Sequence, residues 1–207
     1  DSMSSKDTFV SPQSGTGGSM ARFAITGNTL YVVGKSNLDV YDITKPESPL
    51  QTTSKQMYMG VETIFPYQDK LFIGANDGMY IFDNEQPTDP KLLSKYTHVL
   101  SCDPVVVQGN YAYVTLRGGR ACGNWVTESV LQVIDISTPT QPQQVGSMRL
   151  ENPYGLGVNG DRLFVCEREK GLTVIDITTP QQPKLHFSVS NVSPYDAIVS
   201  KDNSLIL

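Results

Sequence analysis

Apolar residues along this chain come in runs of four to six, broken by Gly, Asn and Asp, and the runs recur in a fixed order. The first unit reads Ala21-Arg22-Phe23-Ala24-Ile25, a Gly27-Asn28 turn, Leu30-Tyr31-Val32-Val33, a polar break, and then Leu38 to Ile43. Past two prolines it closes with Leu50-Gln51-Thr52-Thr53-Ser54. Short β-branched and aromatic runs between turn residues predict strands joined as hairpins. The turn returns as Gln68-Asp69, Gly109-Asn110, Gly160-Asp161 and Asp202-Asn203, and second strands begin at Leu30, Leu71, Ala112, Leu163 and Leu205. No apolar pattern of period 3.6 is sustained over ten residues, so the chain reads as all-β.

The third strand carries a signature written four times: Leu38-Asp39-Val40-Tyr41-Asp42-Ile43, Met79-Tyr80-Ile81-Phe82-Asp83-Asn84, Leu131-Gln132-Val133-Ile134-Asp135-Ile136 and Leu172-Thr173-Val174-Ile175-Asp176-Ile177. Two prolines three residues apart follow each copy: Pro46 and Pro49, Pro87 and Pro90, Pro139 and Pro142, Pro180 and Pro183. Offsets between copies are 41, 52 and 41 residues. A four-stranded unit near that length predicts a β-propeller blade. A helical solenoid has the period but not the pattern, and a β-sandwich needs no such repetition. The reading is four complete blades at about 20–58, 59–99, 100–151 and 152–191, with 192–207 starting the next. Residues 1–19, rich in Ser, Gly and Asp, read as a tether. Because the final run matches the opening of a further repeat, the chain is expected to be part of a longer protein.

Charge and composition narrow the function only by exclusion. With 39% hydrophobic and 18% charged residues the chain suits a folded domain. A net charge of −5 without a Lys/Arg run argues against a nucleic-acid binder working through a basic face. No stretch is long and apolar enough for a membrane-spanning helix.

Asp42, Asp83, Asp135 and Asp176 sit at four blade peripheries and cannot converge on one ion. Each is read instead as accepting backbone N–H groups of the following turn. The long 52-residue step marks an insertion, 117–129, between the second and third strands of the third unit. In a propeller blade such loops share a face with the connections between blades. That face gathers Arg117, Arg120 and Trp125 with Glu62, Asp103, Tyr154 and Tyr195 as candidate binding residues, since loops bearing aromatics and arginines are where recognition sits. The competing reading is a decorated solvent loop.

Cys102 and Cys122 fall in two loops of the same face, and a disulfide between them is expected in an exported protein. Zinc would need more ligands than this pair offers, with only two histidines, His98 and His186, in the chain. Cys166, inside an apolar run, reads as a buried free thiol. Gly15-Thr16-Gly17-Gly18 follows no strand and opens no helix, so it is not a phosphate loop. No metal and no cofactor is assigned. An alternative function rests on Glu62, Asp103 and Asp196, acids at corresponding points of three blades: a propeller enzyme with a metal-dependent site at the channel mouth, testable by metal content.

The strings Leu163-Phe164-Val165 and Leu172 to Ile177, with the trailing Thr-Pro-x-x-Pro, resemble the LVIVD-repeat family of bacterial β-propellers. Gly18-Ser19-Met20-Ala21-Arg22-Phe23, Glu62-Thr63-Ile64-Phe65-Pro66-Tyr67 and Ser101-Cys102-Asp103-Pro104-Val105-Val106-Val107 are similar to its surface-lipoprotein branch in Bacteroidetes-type bacteria. The resemblance covers residues 18–207. It implies a propeller of about seven blades and an extracytoplasmic, outer-membrane-anchored lipoprotein whose lipid sits upstream of residue 1. A rigid all-β scaffold with one loop-rich face reads as a non-catalytic interaction module, and its expected partner is an outer-membrane protein complex or an extracellular polymer.

Overall fold

The computed structural model describes residues 18–57, 60–97, 104–118, 128–200 and 202–207. They form a β-propeller segment: four four-stranded antiparallel sheets and a two-stranded start of a fifth, with no α-helix among the described residues. The first blade comprises β1 (Phe23–Thr26), β2 (Thr29–Val33), β3 (Asn37–Asp42) and β4 (Leu50–Gln56). The second comprises β5 (Val61–Tyr67), β6 (Lys70–Ala75), β7 (Gly78–Asp83) and β8 (Lys91–Tyr96). The third comprises β9 (Val105–Gln108), β10 (Tyr111–Leu116), β11 (Ser129–Asp135) and β12 (Gln143–Leu150). The fourth comprises β13 (Leu156–Asn159), β14 (Arg162–Cys166), β15 (Leu172–Asp176) and β16 (Lys184–Val189); β17 (Ile198–Val199) and β18 (Leu205–Ile206) follow.

Each repeated sequence feature has a repeated structural cause. The four aspartates accept the backbone N–H two residues on: Thr44 N to Asp42 at 2.7 Å, Glu85 N to Asp83 at 3.2 Å, Ser137 N to Asp135 at 2.8 Å and Thr178 N to Asp176 at 2.8 Å. The first proline of each pair sits one residue into a turn closed by Ser48 N to Lys45 O, Asp89 N to Gln86 O, Gln141 N to Thr138 O or Gln182 N to Thr179 O. This is the position where a fixed φ near −65° is already correct. A bulge interrupts the third-to-fourth strand pairing at the same place in every blade, at Val40/Tyr41, Ile81/Phe82, Val133/Ile134 and Val174/Ile175.

The inner strands β1, β5, β9, β13 and β17 neighbour one another in chain order, and the core lies between successive blades. Tyr31, Leu38 and Val40 pack against Ile64, Leu71 and Ile73; Phe72, Met79 and Ile81 pack against Val105, Ala112 and Val114; Val106, Tyr113 and Leu131 pack against Leu156, Leu163 and Val165. Burial on both faces explains the nearly continuous apolar runs of β6, β7 and β10, whereas β2 and β3 bury alternate residues. Tyr31 is fully buried and donates to Asn84 Oδ1 at 2.9 Å across the first blade interface. Cys166 is buried and free, its thiol pushed up to about 12 by burial and the nearby Asp196 charge.

Gly18 and Ser19, which the sequence places in the tether, are instead packed within the fold. Ser19 is 1% exposed and lines a cavity of about 240 Å³ whose walls are inner-strand residues, among them Phe65, Val107, Gly157 and Ala197.

Candidate functional site

Antiparallel alternation sorts the loops onto two faces. One carries the tight turns at Gly27, Gln68, Gly109 and Gly160, all with positive φ, and the proline turns. The other carries the second-to-third strand connections and the links between blades. On it the fourth blade assembles a stack of guanidinium and phenol groups.

Tyr154 lies in the β12–β13 link. Its N–H donates to Cys166 O at 2.8 Å, and its own carbonyl accepts Thr115 Oγ1 at 3.3 Å, which fixes it against the third and fourth blades. The next N–H, of Gly155, donates to Tyr195 O at 2.8 Å and brings the β16–β17 link alongside. The two rings meet edge to face, centroids 5.5 Å apart at 78°. The Arg117 guanidinium lies 4.1 Å from the Tyr154 centroid; that of Arg168 lies 4.4 Å from Tyr195 and 5.4 Å from Tyr154. Cation–π contacts at such distances are attractive, more so where water is excluded.

Arg168 is held by a loop that cannot easily yield. It opens the short 3₁₀ turn Arg168–Lys170 with φ 48, a left-handed backbone that arginine seldom adopts. Glu167 N donates to Gly171 O and Gly171 N to Arg168 O, both at 2.8 Å. The Glu167 carboxylate is fully buried and accepts Glu151 N at 2.7 Å, Asn152 N at 3.2 Å and the Thr173 hydroxyl, with Lys170 Nζ at 3.4 Å. Burial pushes this carboxyl up, but the hydrogen bonds and the lysine outweigh it and hold it below the usual range. Glu167 thereby ties the Arg168 loop to the link that carries Tyr154.

Glu62 belongs to a second part of the same face. It lines a cleft of about 700 Å³ with Met20, Arg22, Lys35 and Asn76. Burial raises its carboxyl above the usual range, against the opposing charges of Arg117 and Arg22. Arg117 therefore faces Glu62 electrostatically and Tyr154 through its ring, joining cleft and stack.

Asp196 is committed to structure. Its Oδ1 accepts Ser19 Oγ and Ala197 N, both at 2.9 Å, and its Oδ2 accepts Met20 N at 3.3 Å. Ser19 Oγ in turn accepts Leu156 N at 2.7 Å. Gly18 and Gly155 leave room for the carboxylate, which a Cβ at either would meet at 2.1 Å. Burial raises the Asp196 carboxyl above its ordinary value, with these donors opposing. A raised folded-state value means a stabilising contribution that is full below the unfolded value, about 3.9, and lost as pH rises through the folded one. Asp196→Asn is expected to flatten that slope in urea unfolding between about pH 4 and 7. Asp196→Ala should lose about 1–3 kcal/mol at every pH by orphaning Ser19 Oγ and two N–H groups. An Asn variant with the wild-type slope would contradict this assignment.

Of the residues expected at the site, the structure brings together Arg117, Tyr154 and Tyr195 and joins Glu62 to them through Arg117. Asp103, Arg120, Trp125 and the Cys102–Cys122 pair lie outside the described residues. The sequence reading passed over Arg168, Glu167, Arg22 and Ser19. A charged residue at 167, where the aligned positions of the first three blades hold Gly34, Ala75 and Leu116, was the available signal. Among the described residues the acids close enough to share a cation are Asp69, Asp83 and Glu85, on the tight-turn face. Lys70 already sits there, 2.7 Å from Asp69 and 3.4 Å from Asp83.

Solved structures share the fold at low sequence identity. A protein from Lactobacillus plantarum is 16% identical, with a TM-score of 0.68 over 85% of this chain and 59% of that one. The periplasmic gluconolactonase PpgL of Pseudomonas aeruginosa is 14% identical, with a TM-score of 0.63 over 86% of this chain and 61% of that one. A functionally unknown protein from Desulfotomaculum acetoxidans is 16% identical, with a TM-score of 0.59 over 83% and 57%. The chain thus spans roughly three-fifths of each of these structures. No functionally curated protein matches the sequence. The LVIVD repeat model matches residues 17–54, 101–121, 124–149 and 155–191, more than half of the chain, and leaves out the second blade, whose sheet is nonetheless built like the others. The chain belongs to the LVIVD-repeat family.

Proposed function

We propose that this chain is a non-catalytic β-propeller interaction module that binds a protein or polymer partner through its loop-rich face. The observation that carries the reading is the Arg117–Tyr154–Arg168–Tyr195 stack, which concentrates arginine and tyrosine at one point of an otherwise acidic protein. Arg and Tyr are enriched among the few residues that dominate the energetics of interfaces. The opposite face offers short polar turns with little area to bury. The likeness to a gluconolactonase at 14% identity is a likeness of fold and carries no activity to this chain.

An extracytoplasmic setting, an outer-membrane lipid anchor and a complete propeller of about seven blades are part of the same proposal. They rest on the resemblance to the surface-lipoprotein branch. The partner would then be an outer-membrane protein complex or an extracellular polymer. Affinity purification from the native membrane should identify it. Trp125→Ala is expected to weaken its binding by at least about 1 kcal/mol, in the range of interface anchors, while Asn110→Ala on the tight-turn face leaves it unchanged. The reverse pattern would place the working surface on the other side. A stoichiometric Ca²⁺ or Mn²⁺ in the purified protein would favour a metal-dependent enzyme instead.

A further inference from the structure

We propose that Arg168 is the anchor of a carboxylate-binding subsite on this face, and that its ligand is an acidic peptide segment. The inference rests on the loop-rich face being the working surface and names the chemistry that face selects.

The side chain is placed at a conformational cost without a structural return of matching size. Its backbone is left-handed, where a side chain is disfavoured and glycine is not. Strain of this kind persists where surrounding structure over-determines it, and it gathers at ligand sites. Here the over-determining structure is the Glu167 carboxylate and the two short backbone bonds of the loop. Apart from its ring contacts, Arg168 makes a 3.5 Å hydrogen bond from Nη1 to Tyr154 Oη and a 3.8 Å ion pair from Nε to the largely exposed Glu169, too long for a hydrogen bond, so the buried Nε–H has no hydrogen-bond acceptor among the described residues. A guanidinium carries five donors in a planar fork suited to a carboxylate. This one is stacked on two rings and remains about a third exposed.

Arrangement of the rings favours a peptide carboxylate over a sugar acid. Tyr154 carries both the Arg117 and the Arg168 guanidinium groups, which leaves little of that ring for a pyranose to stack on; Tyr195, 54% exposed, carries Arg168 alone. What the cluster offers outward is charged N–H donors. With a net charge of −5 the chain as a whole does not attract anions, so recognition has to be local to this stack.

The test uses labelled hexaglutamate as the probe, read by fluorescence anisotropy with the full chain at low salt. Binding is expected, and raised salt should abolish it. Arg168→Gly suits the left-handed backbone, so it should keep or raise the melting temperature while weakening hexaglutamate by at least about tenfold. Arg168→Lys should not restore affinity, because an ammonium lacks the planar fork. Arg162→Gln, on the tight-turn face, should bind as the wild type does. Absence of hexaglutamate binding, or an Arg168→Gly variant that binds unchanged, would overturn the proposal. Trigalacturonate binding more tightly than hexaglutamate would overturn the peptide class in favour of an acidic glycan. If hexaglutamate fails while Arg117→Ala still weakens capture of a native partner, the face stands and the carboxylate chemistry falls.

Discussion

Replacing the fully buried Glu167 with alanine is expected to cost about 3 kcal/mol or more. Two backbone N–H groups, of Glu151 and Asn152, and the buried Thr173 hydroxyl would lose their acceptor together. Each orphaned buried donor costs about 1–3 kcal/mol. The effect has a pH signature. The Glu167 carboxyl is held below its ordinary value in the folded state, so its contribution is full above the unfolded value, about 4.3, and is lost as pH falls through the folded one. Urea unfolding at neutral and acidic pH should show wild type and variant converging in acid. A loss below about 1 kcal/mol at neutral pH would mean that the loops are held by something other than this carboxylate.

A second large effect is expected at Gly171, for backbone reasons. It has φ 102, and a Cβ there would lie 1.9 Å from the Val189 carbonyl oxygen and 2.9 Å from Ser190 Cα. Neither atom can turn aside, since both are main chain beside the β15–β16 pairing. Gly171→Ala therefore combines a disfavoured backbone with a clash, together roughly 2–5 kcal/mol. Gly78 holds the matching position in the second blade, with φ 145 and the Tyr96 carbonyl oxygen at 2.2 Å, and Gly78→Ala should behave alike. In the third blade, where the insertion lengthens the connection, the matching residue is Val130 inside β11. In the first blade Asn37 holds the matching position after a connection that is also short and has no positive φ, so it is the local turn geometry, not the length alone, that demands the glycine at 78 and 171. Thermal unfolding of the three variants would check the comparison, with Val130→Ala limited to the smaller loss of a partly buried side chain.

These sites show what the sequence could and could not reveal. Blade architecture was legible because its determinants are local and repeated. Asp42, Asp83, Asp135 and Asp176 cap turns two residues away, and each first proline sets a turn within its own blade. The face that carries Glu62, Arg117, Tyr154 and Tyr195 followed from strand alternation alone. The stack itself did not. Tyr154 and Tyr195 are 41 residues apart, one repeat, so the period sets them at matching points of successive blades; that their rings meet follows from the Gly155 N–H to Tyr195 O bond, which spacing alone does not supply. Arg168 sits in a connection that reads as an ordinary charged loop, and only its left-handed backbone and its position over two rings distinguish it. Ser19 was read with the polar tether because neighbouring residues are Ser and Gly. Its burial depends on Asp196 and Leu156, more than 130 positions away.

Outer-strand positions add a contrast. Leu50, Leu92, Leu185 and Phe187 are exposed, at 66%, 56%, 58% and 49%. Spread over the outer strands of three blades, two of them on β16, they are the surface apolar groups common to folded proteins, unlike the concentrated stack on the loop-rich face.

Orientation tests the central claim most directly. The protein would be biotinylated at one introduced cysteine, either Asn110→Cys on the tight-turn face or Glu169→Cys beside Arg168, and captured on streptavidin. Binding of the native-membrane partner is then measured on both surfaces. If the loop-rich face is the working surface, protein tethered through position 110 binds and protein tethered through position 169 does not. Equal binding in both orientations, or binding only when tethered at 169, would contradict it.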